Sequence, residues 1–159
     1  MIGNDVIDLN AAKTESNWQR RGWLGKLFTS SEIDVILSGE NAGILVWKAW
    51  SMKEAAYKCW NRNSNVRAFN PTQFECLEFP LTDQKGVICF NDLRFESRTT
   101  VNDDLVHTVA ISEGCDFAKI LEVASEELTM KNGIPFYDGR PASKSHHGRF
   151  GKCVALFQS

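Results

Sequence analysis

The sequence predicts an α+β fold, an antiparallel sheet packed with helices, on three observations. One long helical pattern runs from near Ile44 to near Arg62. Shorter helical stretches with Trp and Leu on their apolar faces precede it. After it the period changes: short β-rich runs follow one another, divided by turns rich in Asp, Asn and Gly.

The first run, Ile2 to Leu9, is short and β-branched and reads as a strand with Asp5 near its start. Ser16 to Leu27 reads as a helix with Ser16 as N-cap and Trp18, Trp23, Leu24 and Leu27 as apolar positions. Thr29 and Glu32 have the spacing of a capping box ahead of Ile33, Ile36 and Leu37. Ser38 to Gly43 is a loop before the long helix. Gln73–Phe79, Gly86–Phe90, Leu93–Ser97 and Leu105–Ser112 supply three or four antiparallel strands. Phe117 to Met130 is ambiguous: Ile120, Leu121 and Val123 allow a strand, while Ser125 to Leu128 looks like a helix start. Asn132 to Pro135 is a turn, Phe136 to Pro141 a loop or short extended chain, and Lys152 to Phe157 a final strand.

With 159 residues the chain suits one domain, 1–159, with enough material for a sizeable core. At 43% hydrophobic and 24% charged it has the composition of a soluble globular protein. A net charge of −2 argues against nucleic acid or an anionic membrane as partner, so any anion site must be a local basic patch. The five cysteines are scattered, odd in number and without a C-x-x-C pair, which fits reduced thiols in a cytoplasmic protein better than disulfides or zinc. No run approaches 18 apolar residues, and Met1 to Asp5 does not read as a signal peptide.

The stretch Trp50 to Lys58 concentrates chemistry near the end of the long helix. Glu54 and Lys58 are four apart and share a face, and Lys53 and Ser51 are close by. By itself this is a solvated ion pair, and Asn4-Asp5 by itself is a strand cap. The stretch Ser143 to Phe150 adds Lys144, two histidines, Gly148 and Arg149. Asp5 and Glu54, from separate elements, suit a Mg²⁺ that keeps several waters and binds substrate phosphates. Lys144, a histidine and Arg149 suit a phosphate cradle. At most one of His146 and His147 should enter the site, because neighbouring strand side chains point to opposite faces. His107 reads as a packed or edge histidine.

Three stretches together resemble the 4′-phosphopantetheinyl transferase superfamily. Gly3-Asn4-Asp5 matches its Gly-x-Asp strand, and Trp50-Ser51-Met52-Lys53-Glu54-Ala55-Ala56-Tyr57-Lys58 matches its Trp-(Ser/Ala)-x-Lys-Glu-(Ala/Ser)-x-x-Lys helix at every defined position. Ser145-His146-His147-Gly148-Arg149 is similar to its Ser-His-Ser-Gly-Arg element, Phe28-Thr29-Ser30-Ser31-Glu32 to its Phe-(Ser/Thr)-x-x-Glu helix start, and Gly133-Ile134-Pro135 to its Gly-Lys-Pro turn. The resemblance implies Mg²⁺-dependent transfer of 4′-phosphopantetheine from coenzyme A to a serine of an apo acyl or peptidyl carrier protein, in fatty-acid, polyketide or peptide synthesis, releasing 3′,5′-ADP. It implies Asp5 and Glu54 as metal ligands, with Glu54, Lys58 and His146 as the catalytic set. Lys58 and His146 would contact phosphates, Ser145 would help hold the nucleotide end, and Lys53 would be a charge partner of Glu54 or a structural anchor.

The departures leave alternatives open. Ile7 stands where larger relatives have a second strand acid, and Asp8 follows one residue later. Ile134 replaces the turn Lys, with Arg140, Lys144, or Arg20 and Arg21 as candidate substitutes. The order of motifs allows either a reduced, rearranged pseudo-dimer acting as a monomer or a homotrimer in which His146 crosses an interface. The same departures motivate the alternative of a non-catalytic coenzyme A or carrier-protein binding module. Arg20, Arg21 and Lys26 form the basic stretch expected to receive an acidic carrier.

Overall fold

In the computed structural model, which describes residues 1–157 other than 65, 67 and 80, the long helix α4 (Ala42–Ser64) lies against strand β1 (Ile2–Asp8). Its packed face carries Ala49, Met52, Ala55, Ala56 and Cys59, all buried. The small side chains let strand and helix backbones come close. At Gly3 the approach is so tight that a Cβ would meet the Ala55 carbonyl oxygen at 2.1 Å and the Cys59 nitrogen at 2.5 Å. The Gly of the Gly-x-Asp strand is therefore a packing requirement.

β1 is the edge strand of an antiparallel sheet ordered β1-β5-β4-β3-β2, completed by β2 (Glu75–Glu78), β3 (Lys85–Phe90), β4 (Leu93–Val101) and β5 (Leu105–Ser112). β4 extends past the expected end at Ser97. Its inward positions there are Ser97 and Thr99, which carry no apolar signal, and Thr99 instead hydrogen-bonds Thr108 at 2.9 Å.

A second sheet, ordered β6-β10-β9-β8-β7, comprises β6 (Ile120–Glu122), β7 (Leu128–Lys131), β8 (Ile134–Tyr137), β9 (Arg140–His147) and β10 (Phe150–Leu156). Residues 136 and 137, expected as loop or short extended chain, belong to β8, as do Ile134 and Pro135, expected in the turn. Two-residue turns at Asn132-Gly133 and Asp138-Gly139, the dipeptides of tight hairpins, close β7 to β8 and β8 to β9. Residues 125–127, read as a helix start, form one 3₁₀ turn. β9 and β10 pack against β1, joined through Gly148-Arg149. Gly148 takes φ +53°, and a Cβ there would meet Asp8 at 2.5 Å.

The early helices also differ from expectation. Asp8 ends β1 and caps α1 (Leu9–Glu15), its Oδ1 accepting from the amides of Asn10 and Ala11. Ser16 is the C-cap of α1, and only Trp23–Leu27 of the expected following helix forms, as α2. Gly22, at φ +78°, marks where chain reversal wins over the apolar spacing. The capping box before α3 (Ser30–Ser38) is present as read: Thr29 Oγ1 accepts from the Glu32 amide, and Glu32 accepts from the Thr29 amide at 2.7 Å.

Glu32 does more than cap. It is buried, and Lys53 Nζ, also fully buried, donates to it at 2.7 Å and to the Pro71 carbonyl at 2.9 Å. Its other oxygen accepts from the Cys76 amide at 2.6 Å. One carboxylate thus ties α3, α4 and β2 together. Lys53 is the structural anchor of the two roles foreseen, and its charge partner is Glu32. Removing one member of a buried pair leaves an uncompensated charge, costing about 3–5 kcal/mol. Lys53→Met is expected to lower unfolding free energy by about 3 kcal/mol in urea titrations. The double variant Lys53→Met/Glu32→Gln should recover part of the loss, since no buried charge remains.

Candidate active site

The face of α4 that carries Glu54 and Lys58, the middle of β1 and the end of β9 converge on a cleft of about 400 Å³. Asp5, Glu54, Lys58, Lys144, Ser145 and His146 all line it. Trp50 and Trp47, one and two turns before Glu54, form an aromatic wall. Trp47 escaped the sequence reading although its spacing from Trp50 and Glu54 places it on the same face.

Asp5 is buried and points its Oδ1 at two donors, Lys58 Nζ at 3.0 Å and Ser145 Oγ at 3.0 Å. Lys58 Nζ also donates to the Asn4 carbonyl at 3.0 Å and to Ser145 Oγ at 3.2 Å, so each of its three protons has a partner. Ser51 donates to the Asp5 carbonyl at 3.3 Å, fastening helix to strand beside the site. Glu54 is half-buried with no hydrogen bond to its carboxylate among the described residues. Burial, and then the nearby Asp5 charge, push its pKa up to about 7, while Lys58 pulls the other way.

The C-terminal motif divides its labour. Its alternate side chains Ser143, Ser145 and His147 reach the free edge of β1. The amides of Asn4, Val6 and Asp8 donate to Ser143 Oγ at 2.8 Å, Ser145 Oγ at 3.1 Å and His147 Nδ1 at 2.9 Å. His147 Nε2 lies 2.9 Å from Glu15 Oε2, so this histidine locks β9 to both β1 and α1. Both histidines line the cleft, His146 exposed and His147 half-buried, against the expectation that at most one would enter it: the cleft extends past the end of β9 to Glu15 and Ser16, where His147 is reached as well. Lys144 is exposed with its Nζ 2.6 Å from Ser125 Oγ.

Arg149 is not among the cleft's lining residues. It clasps Asp8 with Nε at 2.8 Å and Nη2 at 3.0 Å, adds its amide at 2.9 Å, and reaches Asp104 at 3.3 Å. The Arg149 guanidinium holds the Asp8 carboxyl well below the usual carboxylate range. Asp8 is thereby engaged as a helix cap and ion-pair partner, away from the Asp5–Glu54 pair. His107 is half-buried, 3.2 Å from Asn4 Nδ2, with its pKa pushed down chiefly by burial, as a packed histidine should be.

A smaller hollow of about 180 Å³ adjoins the cleft and shares Lys58 and Lys144 with it. Ile134 lines it, and Arg62 stands in its wall, donating to the Pro135 carbonyl at 2.9 Å and to that of Ala142. Of the candidate substitutes for the turn lysine, Lys144 is the one that borders this hollow. Arg140 pairs with Asp138, and Arg20 and Arg21 line a separate hollow with Trp18, Leu24 and Leu37.

Among the described residues no group of three or more His, Cys, Asp or Glu side chains is placed to hold a metal. The donor set is two carboxylates: one oxygen of Asp5 without a hydrogen bond among the described residues, and the unpartnered Glu54. That set fits Mg²⁺, which binds through one or two carboxylates and keeps its waters.

A family model for the 4′-phosphopantetheinyl transferase superfamily matches residues 1–110. The chain therefore belongs to that superfamily, a class of transferases. The match includes the Gly-x-Asp strand and the Glu54 helix but ends before β9, so Ser145 and His146 fall outside it. Among solved structures the fold is similar to holo-[acyl-carrier-protein] synthase of Helicobacter pylori, in complex with coenzyme A, at 12% identity and TM-score 0.55, covering 71% of this chain and all of that one. It is also similar to the Thermotoga maritima holo-[acyl-carrier-protein] synthase at 15% identity and TM-score 0.51, covering 84% and 83%. These likenesses bear out the α+β, phosphopantetheinyl-transferase-like fold. No curated protein sequence matches.

Glu54 carries a pH signature. Its native pKa of about 7 exceeds the ordinary value of 4.5, so the native state holds more protons between these values and stability falls as pH rises through that window. The loss is up to about 3 kcal/mol at roughly 1.4 kcal/mol per pKa unit. Glu54→Gln should flatten the dependence of unfolding free energy on pH between 4.5 and 8, and Asp5→Asn should shift the titration to lower pH; denaturant titrations across that range read both.

Proposed function

We propose that this chain transfers 4′-phosphopantetheine from coenzyme A to the serine of an apo acyl or peptidyl carrier protein, with Mg²⁺ as the divalent cation. The observation that carries the reading is the meeting of Asp5 and Glu54, from two distant motifs of the family, in one cleft beside Lys58.

Asp5 and Glu54 are the residues that would hold Mg²⁺, which when bound neutralises charge on the coenzyme A diphosphate. Lys58, Lys144 and His146 supply charge-assisted bonds to phosphate oxygens. Lys58 gives up one of its present partners to do so. The hollow bordered by Lys58 and Lys144 takes the nucleotide end. The carrier serine oxygen bonds to the pantetheine-bearing phosphorus, the bond from that phosphorus to the ADP oxygen breaks, and the serine proton passes to Glu54. The leaving 3′,5′-ADP is stabilised by Lys58 and His146.

One chain supplies Asp5, Glu54, Ser145 and His146 to one cleft, which supports a monomer over a homotrimer. The chain reads as one phosphopantetheinyl transferase domain over 1–159. No helix among the described residues is long and apolar enough to cross a membrane, and the five cysteines are free, in keeping with a cytoplasmic enzyme. For the carrier, Arg20 and Arg21 are exposed around a hollow lined also by Trp18. Trp18 continues into a second hollow that reaches Trp47, the outer wall of the cleft. A carrier docked on the basic side can thus present its serine to the site.

Two experiments test this reading. Mass spectrometry of apo carriers incubated with coenzyme A and Mg²⁺ should show the added phosphopantetheine, with the rate reduced at least about 100-fold in Asp5→Asn and Glu54→Gln. Coenzyme A binding without any mass shift on the carrier would establish the binding-module alternative. Charge reversal at Arg20 and Arg21 should raise the carrier KM about tenfold while leaving coenzyme A affinity in place; an unchanged KM removes this face as the docking surface.

A further inference from the structure

We infer that Ser145 is a positioning residue for Asp5: its hydroxyl fixes the carboxylate so that one oxygen is committed to protein and the other is presented to the cation. This rests on the reading above that Asp5 holds Mg²⁺, and it replaces the role of nucleotide contact that the family resemblance implies for this serine.

The first argument is saturation. A hydroxyl has one proton to donate and two lone pairs to accept with. Ser145 is 6% exposed, and its Oγ accepts from the Val6 amide at 3.1 Å and from Lys58 Nζ at 3.2 Å while donating to Asp5 Oδ1 at 3.0 Å. While these three bonds stand, no donor or acceptor capacity is left for a substrate; the phosphate-binding Lys58 releases the Asn4 carbonyl instead. The second argument is what the saturation does. Asp5 Oδ1 receives Ser145 and Lys58, and the opposite oxygen receives no hydrogen bond among the described residues. The carboxylate is held against rotation with one oxygen free for a ligand. Partners that orient a metal carboxylate in this way typically govern metal affinity 10–100-fold, on the order seen for outer-shell residues.

The third argument separates this role from general support. Ser143, two residues earlier on the same face of β9, is equally buried at 4% and accepts from the Asn4 amide at 2.8 Å. It makes the same kind of bond to β1 and none to a carboxylate. Each serine to alanine substitution leaves one β1 amide unpaired, and only the change at 145 also removes a hydrogen bond from Asp5, leaving Lys58 as the partner of Oδ1.

Calorimetric Mg²⁺ titration of the full chain at pH 8, with thermal unfolding of each variant, tests the assignment. Ser145→Ala should weaken Mg²⁺ about 10–100-fold, while Ser143→Ala lowers the unfolding temperature and leaves Mg²⁺ affinity near that of the unsubstituted chain. If Ser145→Ala does not fold, Ser145→Cys decides: it keeps the side-chain shape but donates only weakly, and should weaken Mg²⁺ in the same direction. Equal Mg²⁺ affinity in the 145 variants and the unsubstituted chain overturns the inference and leaves the transferase reading standing. Equal weakening in the 143 and 145 variants also overturns it, reducing Ser145 to structural support. An unsubstituted chain that binds no Mg²⁺ overturns the metal assignment and this inference together.

Discussion

Everything at the site depends on how β1 is held along both its packed face and its free edge. On one face α4 presses so close that Gly3 has no room for a side chain. Along the unpaired edge, the amides of Asn4, Val6 and Asp8 donate to three alternate side chains of β9. An edge strand with unmet amides, once buried, would cost about 1–3 kcal/mol per amide. The period of two shared by both strands satisfies all three amides at once. That match sets the register between the start and the end of the chain. It brings His146 into the wall of the same cleft as Asp5 and Glu54.

Within this frame the two acids of β1 have opposite fates. Asp8 is closed off: Arg149 clasps it and the α1 amides occupy its remaining capacity, so it works as a fastener. Asp5 keeps one oxygen free and stands near Glu54, whose carboxylate has no hydrogen-bond partner among the described residues. Burial first, and the nearby Asp5 charge second, raise the cost of ionising Glu54, and its raised pKa records it. Two lysines of α4 show the complementary case: Lys53 is buried and spent on Glu32, while Lys58, five residues on, faces the cleft. Adjacent Lys53 and Glu54 point to different partners because successive helix residues are about 100° apart.

The fold's elements were legible where local chemistry and burial agree. The capping box at Thr29–Glu32, the long helix and the strands β1, β3, β5 and β10 follow from period and caps. They were illegible where polar groups face inward, as at Ser97 and Thr99 in β4, and where a helix is too short to show a period, as in α1 and α2. The turn dipeptide Asp138-Gly139 was a signal present but unread, and it would have placed β8. For the site, Asp5, Glu54, Lys58 and His146 were named in advance and do share a cleft. Arg149 was grouped with them as a phosphate-binding cation of the same stretch; its long side chain instead folds back onto Asp8, which neighbourhood in sequence does not reveal.

By itself the sequence determined which residues are candidates for the chemistry and which motifs they belong to, because motif spacing within one helix or strand is a local property. It also determined the capping box at Thr29–Glu32 and most strand positions. The tertiary structure alone decided which charges remain available. Whether a carboxylate or ammonium is spent on a fold contact or left for a ligand depends on partners more than a hundred residues away, such as Arg149 for Asp8 and Ser145 for Asp5. Those pairings arise from the docking of β9 on the edge of β1, a long-range contact that no local period encodes.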